Sequence, residues 1–239
     1  MRQEKVINKK LPTPELKKLM SCFLSALLIL FIAGCATEKN RSVKVAQTQA
    51  SKKVYTGPRS TIAVGNFDNR SNFQRGIFSD GEDRLGGQAK TILITHLSLT
   101  NRFTVLDRDN MEQLRREAQI RGETQTLIGA SHIITGDVSE FGRKETTNRA
   151  LFGVVGKGKK QVAYSKVNLN VVDIRTSAVV YTVSGAGEYA LTDREILGFG
   201  SSAGYDSTLN GKVLDLAIRE AVDRLAEAID AGAWKPSAK

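Results

Sequence analysis

The sequence predicts an α/β fold: a mixed sheet with helices packed on it, in the order β-α-β-α-β-β-β-α, plus two extended β-hairpin insertions. Three observations lead there. Runs rich in β-branched residues alternate with segments whose apolar residues recur at helical spacing. Two strands near residue 170 are joined by a short polar turn, which adds an antiparallel pair to an otherwise alternating chain. Two glycine-rich stretches, 139–161 and 184–210, are longer than the connections such a core needs.

The first strand is Thr61-Ile62-Ala63-Val64-Gly65-Asn66-Phe67, followed by a polar loop with aromatics from Asp68 to Asp83. Leu85, Ala89, Ile92, Leu93, His96 and Leu97 then fall on one face of a helix over about 83–98. Phe103 to Asp107 is a short strand. Asp109 or Asn110 caps the next helix, where Met111, Leu114 and Ala118 share a face, and Thr124 to Ala130 adds one further helical turn. His132 to Val138 returns to strand. Between Lys166 and Ile174, Val167, Leu169 and Val171 point one way and Lys166, Asn168 and Asn170 the other. Arg175-Thr176-Ser177 turns the chain into a strand from Ala178 to Val183. A long last helix, about 211–230, buries Leu214, Ala217, Ile218, Ala221, Val222, Leu225, Ala228 and Ile229.

Ahead of this domain the fourteen residues from Met20 to Ala33 are almost wholly apolar and end at Gly34-Cys35. That is too short to cross a bilayer as a helix, but it suits the apolar region of a signal peptide. Lys9, Lys10, Lys17 and Lys18 supply its positive start. Small residues followed by Cys are how a bacterial lipoprotein signal ends. On that reading the chain is cut between Gly34 and Cys35, residues 1–34 are discarded, and Cys35 carries acyl chains. Several chains anchor firmly where one anchors only marginally. The alternative is an ordinary secretory signal, or a short buried helix, with a chance cysteine. Ala36, where an Asp would mark inner-membrane retention in other lipoproteins, favours the outer membrane, with the protein facing the periplasm. From Ala36 to Pro58 the chain is Lys, Thr, Ser, Gln and Ala with few large apolar residues, a composition unable to fold alone. Extended, it spans about 75 Å. It reads as a spacer, or as a segment that folds against a neighbouring subunit. The expected organisation is therefore signal 1–34, lipidated Cys and flexible tether 35–60, domain 61–232 and tail 233–239.

The formal charge of +10 invites a nucleic-acid reading, but its distribution does not support one. Residues 1–34 hold six Lys/Arg against two Asp/Glu, and residues 35–60 six against one. From residue 61 onward 23 face 22, a net of +1. The fold itself is nearly neutral. With Cys22 removed and Cys35 blocked, no thiol remains, and only His96 and His132 are available for His chemistry. His-Cys metal sites and Cys-His catalysis are excluded, and both histidines read as packed or rim residues. Gly153 to Lys160 approaches a P-loop. However, Lys160 stands where a Ser or Thr would hold magnesium, and Gln161-Val162-Ala163-Tyr164 alternates as a strand where a phosphate cradle needs a helix. No nucleotide, cofactor or enzymatic activity is expected.

The second insertion carries a pattern of its own. Tyr181, Val183, Tyr189 and Leu191 fall on one face, with Gly185 and Gly187 between them, opposite Thr182, Ser184, Ala186 and Glu188. After a polar turn at Asp193-Arg194, Leu197, Phe199 and Tyr205 continue the apolar face against glycines and Ser202. Outer-membrane strands alternate in this way over about 9–11 residues, with aromatics near the ends. One chain with one or two such hairpins cannot close a barrel, so several subunits would have to share one. The other reading is an extended hairpin of a soluble sheet, its apolar face on the core or on a partner.

Several segments resemble one family. These are Gly129-Ala130-Ser131-His132-Ile133-Ile134-Thr135-Gly136, Leu151-Phe152-Gly153, Val167-Asn168-Leu169-Asn170-Val171-Val172-Asp173, Asn101 to Arg108 and the closing helix. With the lipoprotein signal ahead of them, they resemble the CsgG/HfaB proteins, the curli production assembly/transport lipoproteins, over about 61–232. The resemblance implies a periplasmic α/β domain assembled as a homo-oligomeric ring. Each subunit would lend two hairpins to a shared barrel through which curli-like protein subunits pass. It also implies that the loop holding Asn72, Phe73 and Phe78 narrows the channel. Two departures stand out. The second insertion is short, and the first carries Arg143, Lys144, Arg149, Lys157, Lys159 and Lys160, which must face water. The alternative function is a periplasmic lipoprotein adaptor on the same fold that binds an envelope enzyme or another lipoprotein.

Overall fold

The computed structural model describes Lys18, Ser42 and residues 44–73, 83–149, 157–194 and 208–235, with backbone alone at 145–149, 157–161, 191–194 and 208–209. The chain forms two units, Met1–Val45 and Ala46–Lys239. In the first, Lys18 is helical, and Ser42, Lys44 and Val45 are exposed. Gly34 and Cys35 lie outside the described residues.

In the second unit β1 (Ser60–Asn69), β2 (Phe103–Leu106), β3 (His132–Arg149), β4 (Lys157–Asp173) and β5 (Val179–Arg194) form one sheet in the order β2-β1-β3-β4-β5. β1 is parallel to both neighbours, and β3, β4 and β5 are antiparallel in turn. This is the expected mixed sheet. α1 (Arg84–Leu99) and α3 (Thr208–Asp230) pack on it and on each other. All eight residues read as the apolar face of α3 are buried there, meeting Ile62, Ile134, Val167, Leu169 and Val171 of the sheet in one core. Asp83 holds the start of α1: one carboxylate oxygen accepts the Gly86 N–H at 2.8 Å and the other accepts the Asn69 N–H at 2.6 Å. A single side chain thus fastens the end of β1 to the helix.

Four expectations change. First, the stretches read as insertions are largely continuations of core strands. Residues 139–149 belong to β3, 157–161 to β4 and 184–194 to β5; after a register shift at Ser139 the pairing runs from Glu140↔Lys166 out to Arg149↔Lys157, and across β4 to Arg194↔Gly158. Asp193-Arg194 is strand, not turn, because both residues pair with β4. The return strand with Leu197, Phe199 and Tyr205 lies outside the described residues.

Second, 124–130 forms no helical turn. α2 (Met111–Ile120) stops at Gly122, whose φ of +70° only glycine takes without strain. There the Gly122 and Glu123 N–H groups bond back to the Gln119 and Ala118 carbonyls at 3.0 and 2.9 Å, which closes the helix end. Third, α2 buries no residue, and its Leu114 and Ile120 are 41% and 77% exposed. Met111, Leu114 and Ala118 share the expected face, but none of them is buried. Ile120→Asp is accordingly expected to change the stability of the isolated subunit by less than about 0.5 kcal/mol, as read from urea unfolding.

Fourth, the domain is longer at both ends than 61–232. Trp234 is 6% exposed and stacks on Phe103 and Tyr181, with ring centroids 6.2 and 6.4 Å apart, while the edge of His132 meets it at 5.4 Å. At the other end, the strap from Thr48 to Pro58 lies against the domain instead of hanging free. Thr48 and Ala50 are buried, and Asp223 of α3 accepts the Gln49 and Ala50 N–H groups at 3.0 and 2.8 Å. Composition gave no sign of this, because the strap is held by its backbone rather than by apolar side chains.

Candidate functional site

Beyond Val138 the sheet continues as a three-stranded arm. β1 ends beside it: Asn69 pairs with Val138, and the Arg70 N–H reaches the Val138 carbonyl at 3.0 Å. Past that point β3 has β4 on one side and no strand on the other among the described residues. Among the described residues β5 is likewise a sheet edge along its whole length. Among the described residues the arm therefore carries one open edge on each side. Such paired open edges are what strand-to-strand association between subunits requires.

Two close fits hold the arm's base to the body. Gly185 and Gly187 of β5 sit against α3, where a Cβ on Gly185 would overlap the Ala217 carbonyl and the Ala221 amide. Phe141 of β3 packs on Phe73 of the β1–α1 loop, with centroids 4.7 Å apart and planes tilted by 56°. That loop is set by Asn69, whose Oδ1 accepts the Ser71 N–H and hydroxyl at 3.0 and 2.6 Å and whose amide donates to the Phe73 carbonyl at 2.8 Å. Of the three candidate constriction residues, Phe73 is thus part of the arm's footing, Asn72 is exposed, and Phe78 lies outside the described residues.

The face of β5 read as a membrane face is turned to α3 between residues 181 and 189. Val183 is 9% exposed in the core, Tyr181 stacks on Trp234, and Tyr189 lies under the Lys212 ammonium at 5.2 Å. Those apolar groups are packed on the domain's own helix. Leu191 is present as backbone in β5. Further out, β3 from Gly142 to Arg149 has no apolar side chain at all.

The histidines are structural. His96 is 3% exposed, and its Nε2 lies 2.7 Å from Asp215, whose other oxygen accepts from Arg219 at 2.8 Å. Burial alone would raise the Asp215 pKa. The His96 hydrogen bond and the Arg219 charge outweigh it and hold the carboxyl below 3.8. That contribution to stability is present above the ordinary carboxylate range and is lost as pH falls through the folded value. His132 is pushed below 6.5 by burial, against a smaller opposing pull from Asp173. The unfolded chain takes up this proton more readily, so stability falls as pH drops below about 6.5 and levels off once the folded form also protonates. His132→Phe, which keeps an aromatic edge on Trp234, is expected to flatten the slope of unfolding free energy between about pH 7 and pH 5.5.

No group of three or more potential metal ligands occurs among the described residues. Residues 157–160, where a phosphate cradle would need a helix start, are strand β4. A cleft of about 320 Å³ lies between α1 and the end of β2, floored by Val64, Ile94 and Val105. Its charges are engaged internally, with Lys90 on Asp109 at 2.7 Å and Asp107 holding the Asn110 amide at 2.7 Å. Among the described residues no helix is long and apolar enough to cross a membrane.

A feature that no sequence pattern marked lies at the opposite end of the sheet from the arm. Arg102, 1% exposed, forms a two-pronged ion pair with Asp230 at 2.9 and 2.5 Å. It also donates to the Ala50 and Thr100 carbonyls at 3.2 and 3.0 Å and stacks on the Tyr55 ring at 4.8 Å. Strap, β2 and the last turn of α3 meet on this one guanidinium. Asp230 is 128 residues away in sequence, which is why the pairing is invisible there.

Among solved structures, the chain is similar to the PelC dodecamer subunit of Paraburkholderia phytofirmans, at 14% identity, 71% of this chain, 90% of that one and a TM-score of 0.35. It is also similar to lipoprotein GNA1162 of Neisseria meningitidis, at 15%, 73%, 98% and 0.33. Both likenesses are too distant to bear on function. A protein of Neisseria meningitidis serogroup B (strain ATCC BAA-335 / MC58), called "Putative lipoprotein NMB1126/NMB1164", is 55% identical over 222 residues, 93% of this chain and 100% of its own length. The family model for the curli production assembly/transport component CsgG matches residues 42–238, taking in the strap, the sheet, the arm and the closing helix. The chain belongs to the CsgG family.

Proposed function

We propose that this chain is an outer-membrane lipoprotein, facing the periplasm, that joins copies of itself edge to edge and serves the assembly or transport of protein subunits at the cell surface. The arm carries this reading: three paired strands that leave the body with, among the described residues, no strand on either outer edge. Long open edges invite aggregation unless a partner pairs with them. Head-to-tail pairing of β3 in one subunit with β5 in the next closes into a ring when the rotation per subunit allows it. Cys35 would supply the lipid anchor, in keeping with the lipoprotein name of the 55% identical relative. The loop of Asn72, Phe73 and Phe78, fastened at the arm's base, would narrow the passage, and curli-like subunits are the family's indicated cargo. The protein would act as a passage and not as a catalyst, without nucleotide.

A second reading is favoured by the arm's polarity. Lys or Arg on a lipid face costs about 2–4 kcal/mol near the bilayer midplane, and β3 beyond Phe141 offers no apolar side chains to face lipid. The same edge-to-edge assembly could then stand in the periplasm as an adaptor for an envelope enzyme or another lipoprotein. Light scattering and single-channel recording on the detergent-extracted lipoprotein separate the two. A closed oligomer with discrete conductance supports the passage, a closed oligomer without conductance supports the adaptor, and a monomer contradicts both.

A further inference from the structure

We propose that the strap Thr48–Pro58 is a latch that sets the working length of the lipid tether, an inference that rests on lipid at Cys35. Docked, the strap leaves twelve residues, 36–47, between Cys35 and Thr48, a contour of about 40 Å at full extension. Released, the free chain runs to β1 at Ser60, 24 residues and about 80 Å. The latch therefore halves the reach of the domain from the bilayer.

The seat has the chemistry of a reversible hold. Asp223 accepts two strap N–H groups, Arg102 donates to the Ala50 carbonyl, and its guanidinium lies on the Tyr55 ring. Within the strap, the Thr48 hydroxyl accepts the Ser51 N–H at 3.3 Å, and the Ser51 hydroxyl donates to the Thr48 carbonyl at 2.7 Å, fixing the 3-10 turn Ala50–Lys52. Of this stretch only Thr48 and Ala50 are buried and Tyr55 alone packs, half-buried, against the core, so the strap adds little to the apolar interior. A segment held by a few polar contacts over a complete core belongs to the least stable part of a fold, and it can open without the rest.

Length gives the latch its use. The seat lies at the end of the sheet where β1 and β2 start, whereas the arm leaves from the other end. From His132 to Lys144, the first residue past the Arg143–Asn210 hydrogen bond to α3, β3 climbs about 40 Å. The docked tether is just long enough to cover that distance and keep the base of the arm at the membrane surface. The released tether is twice as long as the distance and would let the domain drift from it.

Limited trypsin digestion of the full-length lipoprotein in liposomes, with the cut sites read by mass spectrometry, tests the hold. Lys44 precedes the strap, and Lys52 and Lys53 lie at its turn. The native protein is expected to be cut at Lys44 at least tenfold faster than at Lys52 or Lys53. In Asp223→Ala that difference should disappear while the unfolding midpoint stays within a few degrees. Equal cutting in the native protein overturns the latch, and so does an unchanged ratio in the variant. Energy transfer from a bilayer dye to a dye on the domain then reads the length: Asp223→Ala should lower its efficiency at least twofold, and no change would overturn the tether role. A protein that fails to float with the liposomes would point to the lipid at Cys35, and the digestion repeated in detergent still decides the hold.

Discussion

Asp230→Ala is expected to destabilise the domain by about 3 kcal/mol, more than Arg102→Met does, although the two substitutions break the same ion pair. The asymmetry follows from burial. The Arg102 side chain is 1% exposed and that of Asp230 34%. Removing the carboxylate strands a guanidinium in the interior with two carbonyls and the Tyr55 face as its remaining partners. Replacing the arginine by methionine instead leaves a carboxylate that water already reaches, and fills the space with an apolar chain of similar length. For a domain of this size, 3 kcal/mol corresponds to a fall in Tm of roughly 6–12 °C. Calorimetry on the two variants side by side checks the order. Equal losses, or a larger loss for Arg102→Met, would show that the pair acts mainly through packing.

Gly185→Val is expected to be the most damaging substitution in β5, costing about 3 kcal/mol, at the upper end for overpacking. Any Cβ at this position meets backbone atoms of α3, the Ala217 carbonyl oxygen and the Ala221 nitrogen, and backbone cannot move aside by changing a rotamer. The helix must therefore lift. Its buried residues Ala217 and Ala221 lie in that contact. Ala186→Val, one position along on the exposed face, should change stability by less than about 0.5 kcal/mol and improve strand propensity. Urea midpoints for the pair give the comparison. If Gly185→Val also abolishes self-association while the subunit stays folded, the seating of the arm on α3 is needed for assembly as well as for stability.

The parts of this fold visible in sequence are those governed by period. α3 shows its buried stripe from Leu214 to Ile229, and β4 alternates Val167, Leu169 and Val171 against Lys166, Asn168 and Asn170, because each face meets a uniform environment. The same rule misleads at α2, whose Met111, Leu114 and Ala118 repeat properly but stay outside the core. Periodicity reports that a face is apolar, not what covers it. For β5 it correctly grouped Tyr181, Val183 and Tyr189. The neighbour found there is α3, and the glycines between them allow its close approach. The charge-rich ends of β3 and β4 read as insertions because alternation fades there, although backbone pairing continues to Arg149 and Lys157. The strap, with Arg102 and Asp230, was hidden for a different reason. It is held by main-chain groups and by one pairing across 128 residues, and neither leaves a local pattern.

Edge-to-edge association through the arm underlies the proposed assembly. The mass of the full-length lipoprotein extracted in mild detergent, measured by light scattering at micromolar concentration and matched to electron-microscope images, tests it most directly. A single closed oligomer is expected, reduced to monomer when a proline in β5 faces the open edge; because N–H direction alternates along the strand, one of Tyr189→Pro and Ala190→Pro removes a donor on that edge. A monomer in the native protein, or a ring that survives proline at both positions with the subunit folded, would contradict the account.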